Sequence, residues 1–366
     1  MKARKLTGPL ATAAILAAVT TVLALPGAVP AAATTPSSGR AAAATAAAGR
    51  AAAPVPRFDD FAGAFIYSLA NPQAFPQGVN DFSCKPSTAH PAPVVLVHGT
   101  AADALSSFGR LAPVLKDAGY CVFAGNFGDT NGTGVKALRA VPKTAEEVAA
   151  FVDMVRAATG KDKVDMVGYS QGGGLLPRWY LKYEGGAAKV DRLIGISPSN
   201  HGTSASGLAT LGQALNVIQP IADITNAQSL QDQTQCSSVN VALDESGDIV
   251  PGVRYTTIVT DQDMVVTPYD NQYLRDNKNA PRTRCHNTTP DLTPAEIAKP
   301  DGNAIVHPAD GPITNIRLQD VCPTDLSGHL RSPYSPAVGG LVLNALDPEH
   351  ATRVPCTTVP PLGSLG

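Results

Sequence analysis

Val164-Asp165-Met166-Val167-Gly168-Tyr169-Ser170-Gln171-Gly172-Gly173 is the stretch on which the fold turns. It opens with a short strand, Val164 to Val167, and passes through Gly168-Tyr169-Ser170-Gln171-Gly172 into a helical stretch that carries Trp179 and Leu181 in spite of Pro177. A serine flanked by glycines two positions away on either side, at a strand-to-helix turn, has the form of a nucleophile elbow. The glycines have a steric reason: on so sharp a turn, side chains at 168 and 172 would collide with neighbouring elements, and the serine itself occupies strained backbone. The turn lifts the Ser170 hydroxyl above a sheet and aims the next helix at it, so that the Gln171 amide faces an oxyanion.

Strands and helices alternate on both sides of this turn. Upstream, Pro93-Val94-Val95-Leu96-Val97 is continuously apolar, as a strand buried on both faces of a parallel sheet requires, and it ends at His98-Gly99-Thr100. Leu111, Val114 and Leu115 predict a helix stopped by Gly119, followed by a strand over Cys121 to Ala124. Thr144-Ala145-Glu146-Glu147 reads as a capping box opening a helix, with Val148, Phe151, Val152 and Val155 at helical spacing until Gly160. Downstream come a strand over Val190 to Ile196, then an amphipathic helix through Leu208, Leu211, Leu215 and Ile218 in a Ser/Thr/Gln-rich region reaching about Asp248. A strand over Tyr255 to Thr260, a last strand near Ile316 to Leu318 and a closing helix over Ala337 to Leu346 complete the pattern. This alternation, without an internal repeat, predicts one mostly parallel, doubly wound α/β sheet.

The chain has 366 residues, 44% of them hydrophobic and 16% charged, with a formal net charge of −2. That composition excludes a disordered or coiled-coil chain, and its near-neutral balance argues against a nucleic-acid partner. Lys2, Arg4 and Lys5, the apolar run from Leu10 to Leu25 and the small residues Ala31-Ala32-Ala33 predict a secretory signal over residues 1–33. The apolar run is interrupted by threonines and too short to span a bilayer, so no transmembrane anchor is expected. Residues 34–57, rich in Ala and Pro, predict a linker or pro-segment.

All six cysteines follow that signal, and an even number in an exported chain favours disulfides. Pairing sequence neighbours predicts Cys84 with Cys121, Cys236 with Cys285, and Cys322 with Cys356.

A serine on such an elbow needs an acid and a base later in the chain, in the order Ser, acid, His. Asp261 and Asp263 both follow the strand ending at Thr260, and Asp263 is preferred because Met264-Val265-Val266 could pack its loop. His98 precedes the serine and is expected to orient its own loop. Of His286, His307, His329 and His350, only His329 falls between the last strand and the last helix, where it could reach Ser170. The second oxyanion donor is expected from the loop of the earlier strand, at the Thr100 amide. This set attacks an acyl carbonyl without a metal or organic cofactor.

The blocks Val94 to Thr100, Gly168 to Gly173, Ser197 to Thr203, Tyr255 to Tyr269 and Leu318 to Leu330 together resemble secreted actinobacterial triacylglycerol lipases of the α/β-hydrolase superfamily. More distantly, the Ser-Gln-Gly-Gly elbow and Lys189-Val190-Asp191-Arg192-Leu193 are similar to the Candida B-type lipase. The resemblance implies Ser170, Asp263 and His329 as the catalytic set and Thr100 with Gln171 as oxyanion donors, in a catalytic domain over 58–366 with a small helical cap. Tyr169 stands where many relatives carry histidine. The implied protein is a monomeric, secreted enzyme acting on lipid or other acyl esters, those at a lipid-water interface included. A short-chain carboxylesterase or polyester hydrolase would use the same residues, and so would a secreted acyltransferase that passes the acyl group to an alcohol.

Overall fold

Seven short runs, most of them β-branched, pair edge to edge into one sheet. The structure, a computed structural model, describes residues 54–130, 135–218, 227–275, 296–309 and 311–360. In chain order the elements are α1 (Phe61–Ala70), β1 (Val94–Val97), α2 (Ala104–Phe108), α3 (Leu111–Asp117), β2 (Val122–Ala124), α4 (Val141–Thr159), β3 (Val164–Tyr169), α5 (Leu175–Tyr183) and β4 (Val190–Ile196). They continue with α6 (Ala205–Ile218), α7 (Gln228–Asp232), α8 (Ser238–Glu245), β5 (Arg254–Val259), β6 (Ile297–Ala298), β7 (Ile313–Arg317), α9 (Leu318–Val321) and α10 (Pro336–Leu346).

The strand order is β2-β1-β3-β4-β5-β7-β6, and every pair is parallel. Side chains alternate between the two faces, so each strand feeds two cores. Val94 and Leu96 of β1 join Phe61, Phe65, Leu111, Leu115, Val338 and Leu341 on one face. Val95 and Val97 join Val148, Val152, Val155, Leu176 and Tyr180 on the other. The order reverses direction between β1 and β3. At such a switch point the loops leaving the strands' carboxyl ends diverge and open a crevice. Val97 is in register with Gly168, so the loops after β1 and β3 begin side by side.

The structure corrects several boundaries. Helix α4 begins at Val141, with Ala140 as N-cap and Pro142 in its first turn, where proline's fixed φ suits a helix start. Thr144 is therefore inside the helix, its hydroxyl donating to the Ala140 carbonyl (3.1 Å), and Glu147 accepts the Gly128 amide (2.9 Å), so no capping box forms there. Strand β7 lies a few residues earlier than expected, and Leu318 already opens α9. Helix α1, absent from the sequence reading, is capped by Asp60, which accepts the Gly63 amide at 2.7 Å, and buries Phe61 and Phe65. At the end of the expected linker, Arg57 pairs with Asp117 at 2.8 Å.

Cys84–Cys121 and Cys322–Cys356 are bonded as expected. The third expected pair involves Cys285, which lies outside the described residues, as does the expected signal over 1–33. No described helix is long and apolar enough to cross a membrane.

Candidate active site

Ser170 follows β3 directly, with φ at 56°, the left-handed region that L-residues enter at a cost. A tight helical turn, Ser170–Gly173, then leads into α5. A Cβ at position 168 would lie 1.8 Å from the Gly172 carbonyl oxygen, and one at 172 would lie 2.2 Å from the Val97 carbonyl oxygen. Both obstacles are backbone, so neither position tolerates any other residue without the turn opening.

His329, in the stretch between α9 and α10, places Nε2 at 2.9 Å from Ser170 Oγ and Nδ1 at 2.7 Å from Asp263 Oδ2. The three residues are each 4% exposed. Asp263 follows β5 in a turn whose Val265 and Val266 amides both donate to Oδ1 at 2.8 Å. Its Oδ2 also accepts the Gln272 side-chain amide at 3.0 Å. An ionised carboxylate is the form that accepts four donors. With the carboxylate on Nδ1, the imidazole carries its proton there and presents Nε2 to the serine as an acceptor.

Asp261 instead accepts the Gln262 side chain (2.8 Å), and its backbone N–H donates to Gln319 (3.1 Å). His307 and His350 are exposed beside Asp301 and Asp347 respectively, and His286 lies outside the described residues. Tyr169 holds His329 from beneath: its hydroxyl donates to the His329 carbonyl at 3.0 Å, and the rings lie 5.2 Å apart. Burial, and then the nearby Asp263 charge, push the Tyr169 phenol well above its usual range, so it stays a donor.

The loop after β1 closes over the serine. A Cβ on Gly99 would lie 3.1 Å from Ser170 Cβ, and Ala101 adopts φ 55° to turn the chain away. His98 braces this loop: Nδ1 donates to the Gly99 carbonyl (3.0 Å) and Nε2 accepts the Phe127 amide (2.8 Å). That bonding needs a neutral ring, and burial lowers the His98 pKa accordingly. Thr100 Oγ1 accepts the Gln233 side-chain amide at 2.8 Å, leaving the Thr100 O–H to donate elsewhere. Gln233 is in turn fixed through Ser199, whose hydroxyl donates to its Oε1 at 3.2 Å. The Gln171 amide heads the turn after the serine, where helix N–H groups lack intrahelical acceptors.

A second polar cluster lies behind the β4 loop. His201 Nδ1 is 2.8 Å from Asp244 and Nε2 is 3.3 Å from Asp248, and the buried Arg178 guanidinium is 3.1 Å from the other Asp248 oxygen. These three acids and bases have metal-ligating chemistry and lie close together. Yet each carboxylate is already faced by a cationic or donor group, so the cluster acts here as a brace.

Three contacts were invisible in the sequence. Gln233 sits in a Gln/Ser-rich run without periodicity, Gln272 lies in a turn after a proline, and the bond of Tyr169 to His329 spans 160 positions. The helices between β4 and β5 are tied to the Asp263 loop where they begin, by Thr203 donating to the Val265 carbonyl and by the Ser204 amide donating to the Thr267 carbonyl.

The profile of the family described as lipase (class 2) matches residues 91–293. No curated protein matches the sequence significantly. Among solved structures, lipase B of Aspergillus fumigatus is similar with a TM-score of 0.50 and 21% identity, over 79% of this chain and 58% of its own. This chain thus spans less than two thirds of that protein, and the likeness is one of fold. A phospholipase from Legionella pneumophila matches with a TM-score of 0.37 and 21% identity, over 46% of this chain and 39% of its own. The mature form of a Bacillus licheniformis lipase matches with a TM-score of 0.34 and 20% identity, over 49% and 69%.

Proposed function

Because the chain belongs to the class 2 lipase family, we propose that it is an exported serine hydrolase that cleaves carboxylic esters, acylglycerols foremost, through Ser170, His329 and Asp263. The observation that carries this is the buried line of contacts from Asp263 Oδ2 to His329 (2.7 Å) and from His329 to Ser170 Oγ (2.9 Å). Both distances are hydrogen-bond distances, and the second lets a proton pass directly from Ser170 to His329.

In this reading His329 Nε2 takes the Ser170 proton as Oγ attacks the ester carbonyl carbon. The Thr100 and Gln171 amides, with the Thr100 hydroxyl freed by Gln233, donate to the oxygen that becomes negative. The imidazolium, steadied by the Asp263 charge, passes its proton to the departing alkoxide as the C–O bond breaks. Water then gives a proton to His329 and attacks the acyl-enzyme, which releases the carboxylic acid and restores Ser170. The leader expected over residues 1–33 and the two disulfides support export to an oxidising compartment.

The test is a chain-length series of p-nitrophenyl esters in solution beside emulsified triglycerides, with Ser170→Ala as blank. Hydrolysis of both sets above the blank is expected. If neither exceeds the blank the hydrolase reading falls, and if only short soluble esters react the acylglycerol part falls. Ester formation outpacing hydrolysis when an alcohol is added would reassign the protein as an acyltransferase.

A further inference from the structure

We infer that Gln272 is a positioning residue for the acid: its side-chain N–H fixes the Asp263 oxygen that faces His329 and so sets the basicity and aim of the imidazole. The inference rests on the proposed role of the Ser170, His329 and Asp263 set.

The geometry around the carboxylate divides into two corners. Oδ1 is held by two amides of its own turn, Val265 and Val266, both at 2.8 Å. Those bonds anchor one oxygen and leave the other free to swing about it. Oδ2 is the oxygen that must stay in the imidazole plane, and Gln272 Nε2 meets it at 3.0 Å beside His329 Nδ1 at 2.7 Å. Gln272 is therefore the side chain that stops that swing.

Its own surroundings argue that the donor is the reason for the residue. Gln272 is fully buried, and its Oε1 has no hydrogen-bond partner among the described residues. Burying an amide with its acceptor unused is unfavourable unless the donor does something worthwhile. A methionine or leucine would fill the space without that cost. The backbone of Gln272 is also pinned, since its carbonyl accepts the Asn200 side-chain amide at 2.6 Å. Asn200 belongs to the loop after β4, and the amide of its neighbour Ser199 donates to the Ser170 carbonyl at 3.2 Å. One loop thus supports the nucleophile and, through Gln272, the acid.

The electrostatic consequence has a definite sign. A neutral donor on Oδ2 takes up part of the carboxylate charge. Without it, that charge bears more fully on the imidazolium, which then holds its proton more tightly. Loss of the donor should raise the pKa of His329 and move the acid limb of the pH-rate profile upward, while the loosened ring lowers kcat.

The experiment compares wild type with Gln272→Met, which keeps length and loses the donor, and with Gln272→Glu, which keeps shape and adds charge. For Gln272→Met, kcat should fall roughly 10-fold with KM changed less than about twofold, and the acid limb should rise by about half a pH unit. Gln272→Glu should raise the limb further, because a second carboxylate disfavours loss of the imidazolium proton. Imidazole NMR titration of His329, run on the same variants in a Ser170→Ala background, reads the same shift without turnover. Unshifted titration in both variants, with folding intact by circular dichroism, would overturn the inference whatever happens to kcat. If wild type hydrolyses no ester, the hydrolase reading fails on its own, and the NMR titration still decides the role of Gln272.

Discussion

Replacing Asp263 by asparagine should disable the site through a tautomer change, and the surrounding donors dictate how. Two backbone N–H groups point at Oδ1 from 2.8 Å, and an NH2 group cannot replace an oxygen there without donor facing donor. In Asp263→Asn the side-chain carbonyl must therefore take the Oδ1 corner, which puts the NH2 where Oδ2 lay, 2.7 Å from His329 Nδ1, while Gln272, whose Nε2 lay 3.0 Å away, can turn its amide over to offer Oε1. The imidazole can accept that donor only by carrying its proton on Nε2, which then points a hydrogen at Ser170 instead of a lone pair. The base is lost while the geometry survives. The same substitution in a Ser-His-Asp hydrolase of another fold costs about 10⁴-fold in kcat, or about 5.5 kcal/mol of barrier, and a loss of that order is expected here. The assay is p-nitrophenyl butyrate hydrolysis against the Ser170→Ala blank, with KM expected to stay within a few-fold because no substrate contact is altered. Asp261→Asn, tested alongside, should keep its rate within about twofold, since Asp261 bonds Gln262 and Gln319 and not the imidazole. Retention of more than a tenth of kcat in Asp263→Asn, together with a collapse in Asp261→Asn, would hand the role to Asp261 and refute the reasoning.

Tyr169→Phe removes the 3.0 Å bond to the His329 carbonyl, but that carbonyl also accepts Ser332 Oγ at 3.0 Å and is not orphaned. Urea unfolding should show a loss of only about 1 kcal/mol, with kcat down less than roughly tenfold, and a hundredfold fall would mean that the hydroxyl takes part in the chemistry. Asp165, 2% exposed on β3, has its carboxyl pushed up to about 6 by burial, although Arg192 lies 3.2 Å away. The folded state therefore keeps a proton that the unfolded chain releases between about pH 4 and 6, so this group makes stability fall by up to about 3 kcal/mol as pH rises through that window. Relative to wild type, Asp165→Asn should gain stability by that amount between pH 4 and pH 7, and a pH-independent difference in urea midpoints would contradict the assignment. The Cys84–Cys121 bridge closes 37 positions of chain, and Cys84→Ser with Cys121→Ser should lose about 3 to 4 kcal/mol by urea unfolding. Equal midpoints for variant and wild type would show that the bridge does not limit the unfolded state.

Where local chemistry decides an element, the sequence was enough. Val94 to Val97 is an apolar, mostly β-branched run whose burial on both faces could be read from composition alone. The elbow was legible because its glycines answer a backbone clash that any strand-to-helix turn of this kind creates, and the choice of His329 over three other histidines followed from chain order. Thr144 and Glu147 carry the spacing of a capping box, whereas the first turn of α4 is set by Pro142, two residues before Thr144. Helix α1 escaped notice because Phe61 and Phe65 look like any apolar pair until the β1 face they cover is known. The contacts that support the site were out of reach for a different reason. Gln233 meets Thr100 across 133 positions and Ser197 meets Ser332 across 135, and no local pattern encodes such pairs.

Those long-range contacts share one arrangement that accounts for where the site sits. Thr100, Ser170, Asp263 and His329 belong to four different loops, at or beyond the carboxyl ends of β1, β3, β5 and β7, and the sheet alone would leave them independent. Each is held by a polar side chain or amide from outside its own tight turn: Thr100 by Gln233, the Ser170 carbonyl by the Ser199 amide, Asp263 by Gln272 further along the same connection, and His329 by Tyr169 at the end of β3. Preorganised donors stabilise a developing charge only if they need not move when it forms, and a buried, cross-braced network meets that condition. The positive φ angles of Ser170 and Ala101 are part of the same design, at roughly 1 to 3 kcal/mol each. Strain of that size persists only where packing over-determines the backbone, and here backbone atoms wall in Gly168 and Gly172 on both sides of the serine. Loosening any brace should therefore lower activity before it lowers stability, because the strained turn is held by the sheet while the aim of the side chains is held by these polar partners.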